Sequence, residues 1–325
     1  MRIWTKITLG ALALLWTSNL PVGAGSYPEK PVTVIVPFPP GGASDTVGRV
    51  VTQAMQESFE QPIVAENKPG ANGAAGAALV ARAPADGYTF LVGSIGVFAI
   101  NSALRPDLEY DPRKDFDMLT IAVRTPNALV AKPDLATTDV KALIEELKAK
   151  PKTLLFASSG IGSSDHLTAE LFWQKTGTSG VHVPYKGGAP AQKDLMGSQV
   201  DLSFQNLGAI LGFVKEGKMK LLAVTSNERV KQAPDVPTLK ELGIEGVEVY
   251  SWQAFAVPKG LPAEAKAKLE SGIHAALKSP AVATKFQEMG FEVIANDGPA
   301  ATAYVADEIT RWTEVVKAGG IAAPK

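Results

Sequence analysis

The chain has 325 residues, with 32 Lys and Arg against 33 Asp and Glu and a formal net charge of −1. This balance lacks the basic excess of nucleic-acid-binding proteins and argues against a nucleic-acid partner. No cysteine is present, which excludes disulfides, thiolate zinc sites, a cysteine nucleophile and a lipidated N-terminal cysteine. A chain of this length predicts about two domains of roughly 100–200 residues each.

The first residues have the form of a secretory signal. Arg2 and Lys6 give a basic start, residues 7–16 form a short apolar core, and residues 22–24 are small enough for cleavage. The apolar core is shorter than the ~20 residues that a membrane-spanning helix needs. We therefore predict that residues 1–24 are a signal peptide and that the mature protein is free in the periplasm, not a lipoprotein, because export without disulfides is typical of bacteria.

The most informative stretch combines a strand, a glycine turn and the start of a helix. The β-branched run 32–36 predicts a strand buried on both faces. Prolines end it, and Gly41-Gly42 permit a tight turn. Ser44 and Asp45 are helix N-cap residue types, so free N–H groups would face outward where an anion such as a carboxylate or phosphate can bind. A glycine-rich turn is also ordinary in parallel α/β proteins, so this stretch alone leaves both interpretations open.

The order of strand, glycine- or polar-rich loop and helix recurs along the chain. In the first hundred residues it recurs with loops at 67–73 and 93–94, and right-handed crossovers would place all three loops at one sheet edge. It returns in the second half with loops at 158–165, 186–190 and 205–206. The sequence therefore predicts an α/β protein with two doubly wound domains.

Two segments are predicted to cross between these domains. Residues 116–132 hold two apolar runs around Arg124–Asn127, and the extended run 247–257 returns the chain to the first domain, because the helical patterns after it lack the strands for a third sheet. Two crossings predict a cleft that opens and closes about a hinge. The predicted limits are residues 25–125 and 247–325 for domain 1 and residues 126–246 for domain 2.

Candidate catalytic residues are few. The three histidines form no cluster at metal-ligand spacing, so the sequence predicts no metal and no cofactor. Gly160–Asp165 is close to a dinucleotide-binding fingerprint, but Asp165 replaces its third glycine and would repel a pyrophosphate. The serines of this loop lack the G-x-S-x-G spacing of serine hydrolases. We therefore predict a binding protein, not an enzyme, with an esterase that uses Ser163 and His166 as an alternative.

The loops offer hydroxyl and backbone N–H groups with few charges. Hydrogen bonds to a ligand carboxylate are worth roughly 1.5–3 kcal/mol each. Three side chains leave alternatives open at this stage. Lys186 either neutralises a second carboxylate or borders the cleft, His166 is a ligand donor or a buried partner of a helix cap, and Phe38 is a cleft wall or part of the core. Phe98 is interpreted as core.

Several sequence blocks resemble those of one protein family. They are Pro37-Phe38-x-Pro40-Gly41-Gly42-x-x-Asp45, Asn67-Lys68-Pro69-Gly70-Ala71-x-Gly73, Ala83-Pro84-x-Asp86-Gly87-Tyr88-Thr89, Val183-Pro184-Tyr185-Lys186-Gly187, Leu222-Ala223-Val224-Thr225-Ser226 and Pro234-Asp235-Val236-Pro237-Thr238. Over nearly all of residues 27–320 the chain resembles the Bug/TctC family, the periplasmic receptors of tripartite tricarboxylate transporters. The resemblance implies a monomeric, periplasmic-binding-protein-like flytrap that closes on a small organic carboxylate without changing it and serves the transporter's membrane subunits.

The resemblance also implies a ligand site. In that family the loops of domain 1 hold one ligand carboxylate, partly through ordered waters, and domain 2 selects the distal end. The matching positions here are Phe38, Pro40, Gly41, Gly42, Ala43, Ser44, Asp45, Asn72, Gly93, Ser94, Ser158, Ser159, Gly162, Ser163, His166, Lys186, Gly187, Gln205 and Asn206.

One position departs from the family pattern. Many relatives carry Asp directly after the strand at residues 200–204, whereas this chain has Gln205-Asn206. That lowers the case for an amino-acid ligand, because no fixed anion stands there for an ammonium group. The expected ligand is a di- or tricarboxylate or an aromatic acid. A ligand sensor for a two-component system remains an alternative to transport.

Overall fold

The structure is a computed structural model that describes residues 27–319 and 321. The predicted signal peptide, residues 1–24, lies outside the described residues. The strands are β1 Val32–Val36, β2 Ile63–Asn67, β3 Thr89–Ser94, β4 Phe116–Ala131, β5 Leu155–Ser158, β6 Val181–Pro184, β7 Leu202–Asn206, β8 Lys220–Val224, β9 Tyr250–Pro258 and β10 Glu292–Val293. The helices are α1 Ala43–Met55, α2 Ala74–Ala81, α3 Asn101–Leu104, α4 Val140–Ala149, α5 Ser164–Thr176, α6 Gly188–Met196, α7 Leu207–Lys215, α8 Ala263–Lys278, α9 Pro280–Met289 and α10 Gly298–Gly319. Within the described ranges, no helix has both the length and the apolar character that crossing a membrane requires.

The ten strands of the described residues form one mixed sheet in the order β2-β1-β3-β9-β4-β7-β5-β6, and β8 and β10 each pair with β4 outside this order. β2 and β3 both run parallel to β1, and β6 and β7 both run parallel to β5. β9 is antiparallel to β3 and β4, and β4 is antiparallel to β7 and β8. The predicted α/β fold is confirmed. The centre of the sheet is antiparallel because two long strands there carry the chain into and out of the second half.

β4 carries the chain from one half of the sheet to the other. Its residues 116–126 pair with β9, and its residues 127–131 pair with β7 and β8. The two predicted apolar runs are therefore one strand, whose change of partner falls in the predicted crossing stretch Arg124–Asn127. We define the first half of the sheet as β1, β2, β3, β9, β10 and residues 116–126, and the second half as β5 to β8 and residues 127–131. The limits of the two domains stay a prediction.

Helices cover both faces of each half. In the first half α1, α8 and α9 pack on one face through Val47, Ile273 and Phe286, and α2 and α10 pack on the other through Ala77 and Trp312. In the second half α4 and α5 share one apolar cluster, and α6 and α7 share the other. Strands covered on both faces are apolar throughout. Polar side chains therefore gather at the strand ends, where the site lies.

Candidate functional site

The loops that follow β1, β3, β5 and β7 surround one cavity where the two halves of the sheet meet. We call it the central cavity. The space free of protein atoms within and at the mouth of this cavity is about 480 Å³. The predicted site residues on its wall are Phe38, Gly42, Ala43, Ser44, Asn72, Ser94, Ser159, Ser163, Gln205 and Asn206. Both predicted domains contribute to this wall.

Three helices start at the central cavity without a side-chain cap. α1 follows Gly42, α6 follows Gly187 and α7 follows Asn206, and none of these three residues makes a side-chain capping hydrogen bond. Gly42, Asn206 and Gly188, the first residue of α6, line the cavity. First-turn N–H groups have no intrahelical acceptor and carry the positive end of the helix dipole. The wall therefore presents donors from both halves that suit an anion.

Asp45 stabilises the loop before α1 through hydrogen bonds. Its carboxylate accepts hydrogen bonds from Gly41 N–H, Arg49 Nε and Asn67 Nδ2, each at 2.9 Å. Burial alone would raise the pKa of Asp45, but these bonds and the Arg49 charge outweigh it and lower the pKa. Gly41 has φ +89°, which an L side chain rarely adopts. Asp45 and Gly41 therefore shape the loop and do not line the cavity.

Among the residues that the structure describes, one charged side chain lies on the cavity wall, that of Asp165. Burial raises the pKa of its carboxyl more than its hydrogen bonds lower it. The prediction that no fixed anion stands at Gln205-Asn206 concerned those two positions only, and the carboxyl on the wall comes instead from Asp165 in the first turn of α5. The carboxylate accepts five hydrogen bonds, from Ser159 N–H, Ser159 Oγ, Ser164 Oγ, Gln205 Nε2 and Asn206 Nδ2.

The sequence analysis missed further wall residues. They are Ser164, Asp165, Gly188, Gln192, Ala209, Ser251 and Gln253. Gln192 Nε2 donates to Gln205 Oε1 at 3.1 Å. Ser251 and Gln253 lie on β9, which had been predicted only as a return strand. Their signal was present in the sequence as two polar residues at alternate positions of an otherwise apolar strand.

Comparison with known proteins identifies the family of the chain. Residues 47–321 match the tripartite tricarboxylate transporter family receptor, TctC. The chain belongs to this family. It is 36% identical to Protein BugT of Bordetella pertussis over 301 residues, 92% of each chain. The structure of the periplasmic binding protein BugD superposes with a TM-score of 0.88 at 35% identity, covering 91% of this chain and 99% of that one.

Two related structures contain a ligand. An R. palustris protein with adipate superposes on this receptor with a TM-score of 0.89 at 36% identity, covering 91% of this chain and 99% of that one. MatC from Rhodopseudomonas palustris with bound malate gives 0.85 at 33% identity, covering 89% and 100%. The predicted Bug/TctC resemblance and periplasmic-binding-protein fold are confirmed. Members of the family are periplasmic binding proteins and not enzymes.

In this receptor His166 is the buried partner of a helix cap, one of its two predicted roles. Its Nδ1 accepts from Gly162 N–H at 3.2 Å, and its Nε2 lies 3.6 Å from Glu170. Ser163 Oγ accepts from the backbone N–H of His166 at 3.2 Å. Ser163 is therefore the N-cap of α5, and its hydroxyl is not paired with the imidazole that an esterase would use as its base.

His182 packs against His166 in the second half. Its ring stacks on that of His166 with the centroids 4.0 Å apart, and its Nε2 lies 2.6 Å from Ser158 Oγ. Burial, and then the neighbouring His166, lower the pKa of His182 to about 3. Both rings thus serve the packing behind the wall. Ser158 and Gly162 belong to this layer and do not line the central cavity.

Lys186 lines a neighbouring cleft that we call the outer cleft. Arg105 is the other basic residue among its described lining residues, and Phe38 and Asn72 line both the outer cleft and the central cavity. Lys186 is exposed. The structure therefore places Lys186 on the outer cleft and not on the wall of the central cavity.

The remaining predicted residues lie near the wall without forming it. A Cβ on Gly187 would approach Pro39 Cδ to 2.7 Å, so the loops of the two halves touch there. Gly93 lies against the ring of Phe98, and Pro40 is exposed. Phe98 is fully buried and stacks on Trp252 with the centroids 6.3 Å apart, as a core residue does. Phe38 is the aromatic residue of the cavity wall.

Proposed function

We propose that this receptor captures a small organic carboxylate in the central cavity and delivers it to the membrane subunits of a tripartite tricarboxylate transporter. The ligand is a di- or tricarboxylate or an aromatic acid. The observation that carries the proposal is the convergence of three helix N-termini without side-chain caps, from both halves of the sheet, on one cavity. The adipate and malate in the related structures support the same ligand class.

The wall favours binding through neutral donors. Among the lining residues that the structure describes there is no Lys, Arg or His. A carboxylate held by backbone N–H, hydroxyl and amide groups gains roughly 1.5–3 kcal/mol per hydrogen bond. Several such bonds give useful affinity without a fixed cation.

Binding requires that the two halves move. We assign domain 1 to residues 25–125 and 247–325 and domain 2 to residues 126–246, with β4 and β9 as the crossing segments. The loops of the two halves approach each other at Gly187, where an added Cβ would come within 2.7 Å of Pro39 Cδ, and at Gly41, where one would come within 3.5 Å of Ala189 Cβ. These approaches support a closed arrangement. Opening separates these loops and admits the ligand. The mature receptor, released from its signal peptide, acts in the periplasm as a monomer.

A thermal-shift screen of the mature chain, followed by calorimetry, tests the proposal. Malate and adipate represent the dicarboxylates, citrate the tricarboxylates and benzoate the aromatic acids. A ligand that binds the folded state at about 100 times its Kd stabilises it by about 2.7 kcal/mol and raises Tm. A melting temperature unchanged by every organic acid would contradict carboxylate capture. Uptake of labelled ligand by vesicles with the membrane subunits, absent without the receptor, tests delivery.

A further inference from the structure

One residue of the cavity wall has a buried side-chain amide that forms no hydrogen bond with the described part of the receptor. Gln253 on β9 has no exposed surface, and neither its Nε2 nor its Oε1 has a hydrogen-bond partner among the described residues. Burying an unpaired amide costs free energy. The other buried side chains with unpaired polar atoms in the described part of the chain are those of Ser102, Trp173 and Ser226, and none of the three lines the central cavity.

The strand fixes this amide on the cavity side of the sheet. Side chains alternate along a strand, so Ser251 and Gln253 share the face that lines the cavity, and Trp252 points to the opposite face, where it stacks on Phe98. Ser94 of β3 is the cross-strand partner of Gln253 and also lines the cavity. Ser94 and Gln253 thus form a polar pair on the part of the cavity wall that the first half of the sheet supplies. We call this part the floor of the cavity.

The chemistry of the amide restricts what can pair with it. It has two N–H donors and one carbonyl acceptor. A carboxylate only accepts and would leave Oε1 unpaired, and an ammonium group only donates and needs several acceptors. The charged acceptor on the wall, Asp165, already receives five hydrogen bonds, which fills the roughly four lone-pair positions of a carboxylate. A hydroxyl group, which both donates and accepts, matches the amide best.

We propose that Gln253 is a specificity-determining residue that selects carboxylates carrying a hydroxyl group on their carbon chain. Its Oε1 accepts from the ligand hydroxyl, and its Nε2 donates to the hydroxyl oxygen or to the adjacent carboxylate. This inference rests on the proposed function and adds the class of ligand. It also explains why a buried amide without a protein partner is kept in an apolar strand.

Calorimetry with succinate, malate and aspartate tests the inference, because the three differ only by H, OH or NH₃⁺ at one carbon. The wild type is expected to bind malate about tenfold more tightly than succinate. In Gln253→Met, which keeps the side-chain length, malate binding weakens about tenfold and the preference over succinate disappears. A larger loss for aspartate than for malate would overturn the assignment of the hydroxyl.

Gln192→Met is the matched control, since Gln192 lines the same cavity but already donates to Gln205. It is expected to weaken malate and succinate by the same factor and to lower the ligand-free Tm. Gln253→Met is expected to leave that Tm unchanged or higher, because no protein hydrogen bond is lost. Equal losses for malate and succinate in Gln253→Met, or a wild type that binds adipate but does not prefer malate over succinate, overturn the inference. A wild type that binds no carboxylate refutes the proposed function instead.

Discussion

The loops before α1 and α5 each lead to a buried aspartate in the first turn, and the two aspartates differ in their surroundings. Asp45 pairs with Arg49, whose side chain is 49% exposed, and its pKa is lowered. Asp165 has five neutral donors and no cation among its described partners, and its pKa is raised. Asp45 does not line the central cavity, whereas Asp165 does.

The different surroundings of Asp45 and Asp165 show that an aspartate in the first turn of a helix has two different roles in this receptor. Asp45 holds the Gly41 turn so that the uncapped N–H groups of α1 stay aimed at the cavity. Asp165 holds side chains of the second half by hydrogen bonds and places its carboxyl on the cavity wall. A carboxylate ligand therefore meets uncapped helix N-termini from both halves, and on the second half it also meets the carboxyl of Asp165.

Truncation of each aspartate gives the largest expected effect. Asp165→Ala leaves five donors without their acceptor in a buried place, and we expect the free energy of unfolding to fall by about 3 kcal/mol or more. Asp45→Ala leaves three donors, one of them on the half-exposed Arg49, and we expect a loss of about 1–2 kcal/mol. Urea unfolding measures both.

Asp235→Ala is the control for this pair, because Asp235 is exposed. Its effect should stay within about 0.5 kcal/mol. A loss for Asp45→Ala as large as that for Asp165→Ala would show that the two loops are not supported in the different ways described above.

A bulky side chain at Gly42 tests whether the N-terminus of α1 binds the ligand carboxylate. Gly42 has φ −83° and tolerates a side chain, but its Cβ would lie 4.0 Å from Gly188 N across the cavity. We expect Gly42→Leu to weaken carboxylate binding about tenfold or more, equivalent to about 1.4 kcal/mol. Gly212→Leu, at an exposed helix position with no neighbour within 4 Å of its Cβ, should bind as the wild type does. Calorimetry that finds equal affinities for the two variants would contradict the site.

The loop before α1 could be predicted from sequence because its signals are local. Prolines, glycines and N-cap residues in residues 37–45 mark the end of a strand and the start of a helix wherever they occur. The role of Asp45 was not separated from ligand contact, although Arg49 four residues later is at the spacing of a helical ion pair. Local signals locate a loop but do not show which way a carboxylate turns.

The placement of Asp165 and Gln253 on the cavity wall depends on tertiary structure. Asp165 was interpreted only as a residue that a pyrophosphate would not tolerate, since its contacts with Gln205 and Asn206 join residues about 40 positions apart. Gln253 follows a tryptophan in an apolar strand, and its importance depends on β9 lying between β3 and β4. Neither placement is encoded within a short window.

Removal of the two charges should have opposite effects on ligand affinity. Asp165→Asn removes an ionisable carboxyl from the wall that faces the ligand carboxylate, and at a pH above the raised pKa of Asp165 we expect affinity to rise about fivefold, or roughly 1 kcal/mol. Asp45→Asn places an amide NH₂ against the donors of Arg49 and Asn67, so the turn loosens and affinity falls. Calorimetry with malate and adipate at one pH compares the variants. Weaker binding in both would argue that Asp165 acts only on the fold.

The pH dependence of stability should also differ in sign. A raised carboxyl pKa in the folded state means that stability is lost as the pH rises from the ordinary value of 3.8 through the raised value, which is the expectation for Asp165. A lowered pKa means that stability is lost as the pH falls below 3.8, which is the expectation for Asp45. Unfolding measured across this range should show each dependence in the wild type and its absence in the corresponding Asn variant. Parallel curves for wild type and Asp165→Asn would contradict the first expectation.

The smallest expected effect is on the rate of ligand capture. Lys186 and Arg105 line the outer cleft, which shares Phe38 and Asn72 with the central cavity, so their charges attract an anion before it reaches the donors of α1. Charges at such a distance act mainly on association and are screened by salt. We expect Lys186→Met to lower the association rate about twofold at low salt and to have less effect at about 0.5 M salt, where the Debye length is shorter than at physiological strength. Lys193→Met, in the middle of α6, is the control. A faster dissociation or a salt-independent loss of affinity in Lys186→Met would instead place the Lys186 ammonium on the bound ligand.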